Sequence, residues 1–131
     1  MISIIILTKN EQQDLPGCLQ SVAWSDDIHV YDSMSTDNTL AIAHDFGATV
    51  TQRPFDNWAA HQNWGLQNVP FKHPWVFYID ADERMTPELV QAVQAVVAFL
   101  KEEAVSLKEV RFVAFDSRTY EAYQKALQEI K

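Results

Sequence analysis

The sequence is poor in several residue types whose presence marks common classes of protein. Its 131 residues include a single cysteine, so no disulfide can form within the chain, as is usual in a reducing compartment. The three glycines form neither a GxGxxG pattern nor a Walker loop, so dinucleotide and ATP sites of those kinds gain no support. Only 10 Lys and Arg residues stand against 18 Asp and Glu residues, and the net charge of -8 argues against nucleic acids and anionic membranes as partners.

Long hydrophobic runs are also lacking. The first apolar run, residues 2–7, is far shorter than the roughly 20 residues of a membrane-spanning helix, and no basic segment precedes it as in a signal peptide. Hydrophobic residues nevertheless make up 47% of the chain, which is enough for one folded core. We therefore expect a single cytoplasmic domain over residues 1–131, with no integral membrane segment.

Apolar runs alternate with amphipathic segments five times along the chain. The runs predict strands at residues 2–7, 28–31, 48–51, 75–79 and 110–115, each followed by a helical segment. Gly47 is expected to end the second helix and Thr86 to cap the fourth, whose buried stripe would be Leu89, Val93, Val96 and Leu100. This alternation implies a mostly parallel sheet with helices on both faces, and right-handed crossovers then give an α/β, three-layer, doubly wound Rossmann-like sandwich. Since a fifth strand would cover the bare edge of the fourth, the expected strand order is 3-2-1-4-5.

Two aspartates directly follow the fourth predicted strand. Residues 76–83 read VFYIDADE, so Asp80 and Asp82 form a DXD motif at the carboxyl end of a strand, where open α/β sheets bind ligands. Mg²⁺ prefers one or two carboxylates that are completed by waters and substrate phosphates. The motif therefore predicts a divalent cation that bridges the protein to a diphosphate.

Three further polar clusters lie at residues 8–11, 32–37 and 62–63. We expect the first two to share a crevice with the DXD motif, because the carboxyl ends of parallel strands meet at one edge of a sheet. Capping of the next helix is an equally good interpretation of residues 35–37, and Gln62 and Asn63 are expected to face solvent. The four histidines are interpreted as structural or surface residues, and Trp58 and Trp64 as core residues.

Five segments in this order resemble family 2 glycosyltransferases, most closely the bacterial lipopolysaccharide-core glucosyltransferase type. They are residues 2–11 (ISIIILTKNE), 28–39 (IHVYDSMSTDNT), 52–54 (QRP), 62–66 (QNWGL) and 75–87 (WVFYIDADERMTP). The resemblance covers residues 1 to about 95. It implies the A-type glycosyltransferase fold and a nucleotide-diphosphate-sugar donor, usually a UDP-sugar, bound with Mg²⁺ or Mn²⁺.

The same resemblance implies roles for individual residues. Thr8 and Glu11 would flank the nucleotide, Asp32 would contact the uracil or ribose, and Asp80 and Asp82 would hold the metal and the diphosphate. At position 34 this chain carries a methionine where relatives often carry glycine, which is expected to stiffen or crowd the loop beside Asp32.

The catalytic residues stay unknown at this level. An inverting transfer needs a base to deprotonate the acceptor, and Glu83 and Asp56 are the nearby candidates, although neither is in the family's base position. Residues 109–116 (EVRFVAFD) and 119–127 (TYEAYQKAL) resemble instead the last strand and helix of macro domains. We therefore expect a chimera, in which residues 1–97 form the nucleotide-sugar-binding half and residues 98–131 an appended strand-helix unit.

Three functions are compatible with this interpretation. The favoured one is a module that binds UDP or a UDP-sugar weakly and has little or no catalysis. The others are an active glycosyltransferase whose acceptor site comes from a partner, and a folded chimera with no retained function. A homodimer is also expected, because the aromatic segments near Phe55, Trp58 and Trp64 and at residues 71–75 would expose apolar surface.

Overall fold

A computed structural model of the protein describes residues 1–102. The chain divides into two compact units, Met1–Met85 and a second that begins at Thr86. The first unit holds four parallel strands in the order β3-β2-β1-β4. Its elements are β1 (Ser3–Thr8), α1 (Leu15–Ser21), β2 (Ile28–Asp32), α2 (Thr39–Phe46), β3 (Thr49–Gln52), α3 (Trp58–Asn68) and β4 (Val76–Asp80).

The predicted α/β fold and the order of its first four strands are confirmed. Each strand lies within one residue of its predicted bounds, including β3, which is exposed at both ends. The predicted fifth strand at residues 110–115 and the helix after it lie outside the described residues. The interpretation of residues 98–131 as an appended unit therefore stays a prediction.

Strand β1 forms the centre of the sheet and pairs with both β2 and β4. Ile4, Ile5 and Ile6 are almost completely buried, as expected for a β-branched run with both faces covered. The register places Leu7 level with Asp80 of β4, and Thr8 level with Asp32 of β2. The pairing therefore brings three of the predicted polar clusters to one edge of the sheet.

Helix α2 begins later than predicted. Residues 35–37 were expected to cap it, but the helix starts at Thr39 after the N-cap Asn38, and of the three only Asp37 accepts a hydrogen bond from the first helical residue, the Thr39 amide, at 2.9 Å. Contacts from other segments hold the preceding residues in a loop: the Ser35 amide donates to the Asp32 carboxylate at 2.8 Å, and the Thr36 amide donates to Asn10 Oδ1 at 2.8 Å. The predicted end of the helix at glycine 47 is confirmed, since that residue is left-handed at φ 90°.

Helix α3 packs against the sheet through a glycine. Asn57 caps its first turn by accepting a hydrogen bond from the Ala60 amide at 2.9 Å. A Cβ atom on Gly65 would lie 2.6 Å from Cε1 of Tyr31, so only glycine lets the helix approach the tyrosine ring this closely. Tyr31 forms a buried cluster with Ile5 and Val69, and this cluster anchors α3 beside the carboxyl ends of the strands.

The second unit contains helix α4 (Pro87–Glu102). Thr86 caps it as predicted, because its hydroxyl accepts a hydrogen bond from the Leu89 amide at 3.2 Å. Of the predicted buried stripe, Val93 and Leu100 are buried. Among the helices at residues 1–102, none is long and apolar enough to cross a membrane.

Candidate functional site

A cleft of about 650 Å³ lies at the carboxyl ends of β1, β2 and β4. Three of the four predicted polar clusters contribute to it, whereas Gln62 and Asn63 face solvent on α3, as expected. The cleft is lined by Leu7, Thr8, Lys9, Glu11, Ser33, Met34, Pro54, Phe55, Trp58, Asp80, Ala81 and Asp82. The structure thus brings together Thr8, Glu11 and both aspartates of the DXD motif.

The DXD motif lies on a tight turn that its own neighbours fix. Asp80 ends β4, and its carbonyl accepts a hydrogen bond from the Glu83 amide at 2.9 Å. The Glu83 carboxylate in turn accepts a hydrogen bond from the Asp80 amide, also at 2.9 Å. These reciprocal bonds hold the backbone on both sides of Ala81 and set the directions in which the two aspartates leave the turn.

The Arg84 side chain also holds this turn in place through hydrogen bonds to its backbone. Its Nη1 donates to the carbonyl oxygens of Ala81 and Glu83, each at 2.8 Å. Its guanidinium lies over Gly17 of α1, where a Cβ atom would be only 2.6 Å from Nε, and Nη2 lies 3.6 Å from Asp14. Gly17 therefore provides the space through which Arg84 connects α1 to the DXD turn.

The carboxylates in the cleft repel one another. Burial raises the pKa of Asp80 above its usual value, and the charges of Glu83 and Asp82 raise it further. Burial, followed by the charges of Asp82 and Asp14, likewise raises the pKa of Glu11. Lys9 is the one cationic side chain among the lining residues, and its ammonium donates to the Met34 carbonyl at 2.9 Å. The cleft is therefore net negative.

This set of donors fits a hard divalent cation. In the part of the chain that the structure describes, no three His, Cys, Asp or Glu side chains are placed to hold a metal by themselves. Asp80 and Asp82 instead supply two carboxylates on one turn, a number that suits Mg²⁺ or Mn²⁺ when waters and phosphate oxygens complete the coordination. A cation here would also offset the repulsion of Asp80 by the charges of Glu83 and Asp82.

Asp32 lies beneath the cleft instead of in its wall. It is completely buried, and its carboxylate accepts hydrogen bonds from Thr8 Oγ1 at 2.6 Å, the Ser35 amide and hydroxyl at 2.8 and 2.5 Å, and Gln52 Nε2 at 3.1 Å. Burial opposes ionisation, yet the bonds from Ser35 and Thr8 hold the pKa of Asp32 below its usual value. Direct contact with uracil or ribose would require one of these donors to move.

Hydrogen bonds hold the carboxylates of both candidate bases. Both carboxylate oxygens of Asp56 pair with Arg53 at 2.9 Å, and this contact, with the Asn57 amide, keeps the pKa of Asp56 far below its usual value. The Glu83 carboxylate is bonded to the Asp80 amide. The catalytic base therefore stays unassigned in the first unit.

Sequence reasoning missed the apolar part of the cleft wall. Trp58 was expected in the core, but it is 60% exposed and forms an edge-to-face pair with Phe55, which is 49% exposed. Both residues follow β3 in a segment that was interpreted as a loop and a helix start. The prediction for Trp64 is confirmed, since it packs against the buried cluster around Tyr31. Phe55 and Trp58 thus stay exposed, and the dimer stays a prediction.

Met34 also lines the cleft, with its backbone in the left-handed region at φ 60°. Glycine adopts this conformation without strain, which explains physically why a glycine suits the position. Asn10 is left-handed too, at φ 54°. The loops after β1 and β2 therefore both carry non-glycine residues in a conformation that L-residues seldom adopt.

Comparison with known proteins agrees with this geometry. A match to the model of Glycosyl transferase family 2 extends over residues 3–126. The chain belongs to glycosyltransferase family 2. The match includes most of the segment that was expected to resemble macro domains.

Two curated relatives match this family 2 chain. An uncharacterized glycosyltransferase of Rickettsia bellii (strain RML369-C) is 34% identical over 98 residues, which are 74% of this chain and 33% of that protein. The lipopolysaccharide core biosynthesis glycosyltransferase LpsC of Rhizobium meliloti (strain 1021) is 31% identical over 110 residues, or 75% of this chain and 40% of that protein. The chain thus spans 33% to 40% of the length of these relatives.

The fold of the family 2 chain is also that of a solved enzyme. Glucosyl-3-phosphoglycerate synthase from Mycobacterium tuberculosis, crystallised in complex with Mn²⁺, UDP-glucose and phosphoglyceric acid, has a TM-score of 0.57 and is 22% identical. The likeness covers 76% of this chain and 39% of that chain. At this identity it supports the fold alone.

Proposed function

We propose that the first unit binds a nucleotide-diphosphate sugar, most simply a UDP-sugar, through a divalent cation held by Asp80 and Asp82. One observation carries the proposal: the cleft that belongs to a glycosyltransferase fold is lined by three carboxylates and a single lysine. A diphosphate would be repelled by such a cleft unless a cation came with it. When bound, Mg²⁺ or Mn²⁺ would neutralise charge on both the carboxylates and the diphosphate.

The remaining lining residues support a nucleotide in the same cleft. Thr8 and Glu11 are positioned beside the DXD turn, as the family resemblance implies. Asp32 contributes to the site by fixing Thr8 and Ser35, and a direct contact with the nucleotide stays a prediction for it. The solved relative named above was crystallised with Mn²⁺ and UDP-glucose, which agrees with this choice of cation and donor.

We expect the binding by this unit to be weak. Met34, Phe55 and Trp58 on the cleft wall are 46%, 49% and 60% exposed, so the cleft is open to water. Water screens the attraction between cation and diphosphate several-fold relative to a closed site. A dissociation constant on the order of 0.1–1 mM, or about -4 to -5.5 kcal/mol, is therefore expected.

Little or no turnover is expected from the same unit, because the Asp56 carboxylate is paired with Arg53 and neither Asp56 nor Glu83 is in the family's base position. An active transferase whose acceptor site is supplied by a partner is the second candidate function. The appended-unit interpretation of residues 98–131 also stays a proposal, and it has to accommodate a family match that reaches residue 126.

Calorimetric titration with UDP tests the proposal. Wild-type protein should bind UDP in Mn²⁺ and lose most of that affinity in EDTA. Replacing Asp80 and Asp82 together with alanine should remove the dependence on Mn²⁺ and leave the unfolding temperature nearly unchanged. The control replaces two exposed acidic residues elsewhere, Asp45 and Glu102, with alanine and should bind like wild type.

Equal binding by the Asp80 and Asp82 variant in Mn²⁺ would show that the metal role is wrong. Release of UDP from UDP-glucose by the wild type would favour the active transferase over the binding module. No saturable binding at millimolar UDP would leave the folded chimera without retained function.

A further inference from the structure

A buried histidine lies behind the cleft, on helix α3. His61 is completely buried, and its ring stacks on Tyr31 with centroids 4.2 Å apart and planes 8° from parallel. The Tyr31 hydroxyl donates to the His61 carbonyl at 2.8 Å, so the tyrosine holds both the ring and the backbone of the histidine. The orientation of the imidazole is therefore fixed.

One side of this ring faces a guanidinium. Arg53 Nη1 lies 3.3 Å from His61 Nδ1, and Arg53 is itself held by two hydrogen bonds to the Asp56 carboxylate at 2.9 Å. An arginine can only donate hydrogen bonds. Nδ1 must therefore be the acceptor, which leaves the single ring proton on Nε2.

The other side of the ring faces the cleft wall. His61 Nε2 lies 3.3 Å from Ser33 Oγ, and because Nε2 carries the proton, the serine oxygen is the acceptor. Burial, and then the charge of Arg53, lower the pKa of His61, which agrees with a neutral ring. The direction of the bond is thus set by Arg53.

Ser33 is left with a hydrogen that it can donate. Its oxygen accepts from His61, and among residues 1–102 no acceptor is positioned for the hydroxyl hydrogen. The residue follows β2 directly and lines the cleft, and its amide is tied to the Thr8 carbonyl at 2.9 Å. An occupied acceptor site and a free donor make this hydroxyl suited to an oxygen of a ligand.

We infer that His61 is a positioning residue: as the Nε2-protonated neutral imidazole it orients the Ser33 hydroxyl to donate a hydrogen bond to an oxygen of the nucleotide in the cleft. The inference rests on the proposed function for the identity of the ligand. The arrangement itself, from Arg53 through His61 to Ser33, is independent of that function.

The protonation of His61 is measured without any ligand, from the ¹⁵N chemical shifts of its two ring nitrogens in the wild-type protein near pH 7.5. The expected pattern is a protonated Nε2 and an unprotonated Nδ1. A protonated Nδ1 would overturn the inference, whether or not the protein binds UDP.

The ligand contact is tested by titration with UDP in Mn²⁺. Ser33→Ala should weaken binding about fivefold to tenfold, which is the upper part of the range for an ordinary net hydrogen bond. His61→Asn should weaken it as much, because the shorter amide reaches only the Nδ1 position. His61→Gln keeps an N–H donor near Nε2 and should bind within about twofold of wild type.

A merely structural role for His61 would give a different pattern. Combining His61→Asn with Ser33→Ala should cause no further loss of UDP affinity if the histidine acts through the serine. A full additional loss in the double variant would overturn the inference, as would unchanged binding by Ser33→Ala. Failure of the wild-type protein to bind UDP would instead overturn the proposed function together with the nucleotide contact.

Discussion

Replacing Gly17 with alanine is expected to weaken the nucleotide site without unfolding the protein. The added methyl group would lie 2.6 to 2.9 Å from three atoms of the Arg84 guanidinium, which is the far end of a flexible side chain. Arg84 can therefore move away, but it then loses its two 2.8 Å hydrogen bonds to the turn that carries Asp80 and Asp82. The change thus acts on the site through the turn.

The effect on stability is a small difference between opposing contributions. Alanine is favoured over glycine in a helix by about 0.8–1 kcal/mol. Loss of two hydrogen bonds by a side chain that is 40% exposed is expected to destabilise by about 1–2 kcal/mol, and the 3.6 Å ion pair with Asp14 adds little. The net change should be about 1 kcal/mol or less, or a few degrees in Tm.

The assay is a double-mutant cycle of Gly17→Ala and Arg84→Ala, followed by urea unfolding and by titration with UDP in Mn²⁺. Each single variant should weaken Mn²⁺-dependent binding by several-fold. In the Arg84→Ala background, Gly17→Ala should stabilise the protein by about 0.8–1 kcal/mol, because only helix propensity is left, and should not alter binding further. Equal stabilisation by Gly17→Ala in both backgrounds would refute the close contact between Gly17 and Arg84.

Three further changes have expected outcomes. Gly65→Ala should destabilise the protein by about 1–3 kcal/mol in urea unfolding, because the added methyl group would lie 2.6 Å from the buried Tyr31 ring, which has no room to move. A variant as stable as the wild type would contradict the close contact between Gly65 and Tyr31. Met34→Gly should leave the free energy of unfolding unchanged or raise it by up to about 1 kcal/mol, because glycine adopts the left-handed φ of 60° without strain. A clear decrease in the free energy of unfolding in the same assay would show that Met34 is not strained. Because the pKa values of Asp80 and Glu11 are raised, both carboxylates should take up protons at higher pH than ordinary carboxylates do. Protonation of Asp80 should then compete with Mn²⁺, and the metal-free fold should gain stability as the pH falls through the raised values. Calorimetry in two buffers should detect proton release on Mn²⁺ binding at a pH above the range where ordinary carboxylates titrate, and an ordinary carboxylate profile would contradict the raised pKa values.

The sequence predicts best the features that short stretches of residues determine. The apolar run before Asp80 is enough to place a strand, and its carboxyl end is enough to place the DXD motif in a crevice. The cap at Thr86 and the glycine at the end of α2 are equally local, and both are confirmed.

Features that depend on distant residues could not be predicted in this way. Asp32 is buried because donors from β1 and β3 converge on it, and no local pattern reveals them. The late start of α2 has the same cause, since Asn10 from the loop after β1 holds Thr36 outside the helix. Trp58, the first residue of α3, lines the cleft and is 60% exposed, whereas its residue type alone favours burial.

The most direct test of the central claim is where Mn²⁺ binds. Paramagnetic broadening of amide NMR signals, recorded with substoichiometric Mn²⁺ with and without UDP, locates the ion in a chain that carries 18 acidic residues. We predict that UDP strengthens the broadening and that it centres on residues 80–82 and Glu11. Broadening that does not change when UDP is added, or that centres on Asp26 and Asp27 instead, would contradict a metal-bridged nucleotide in the cleft.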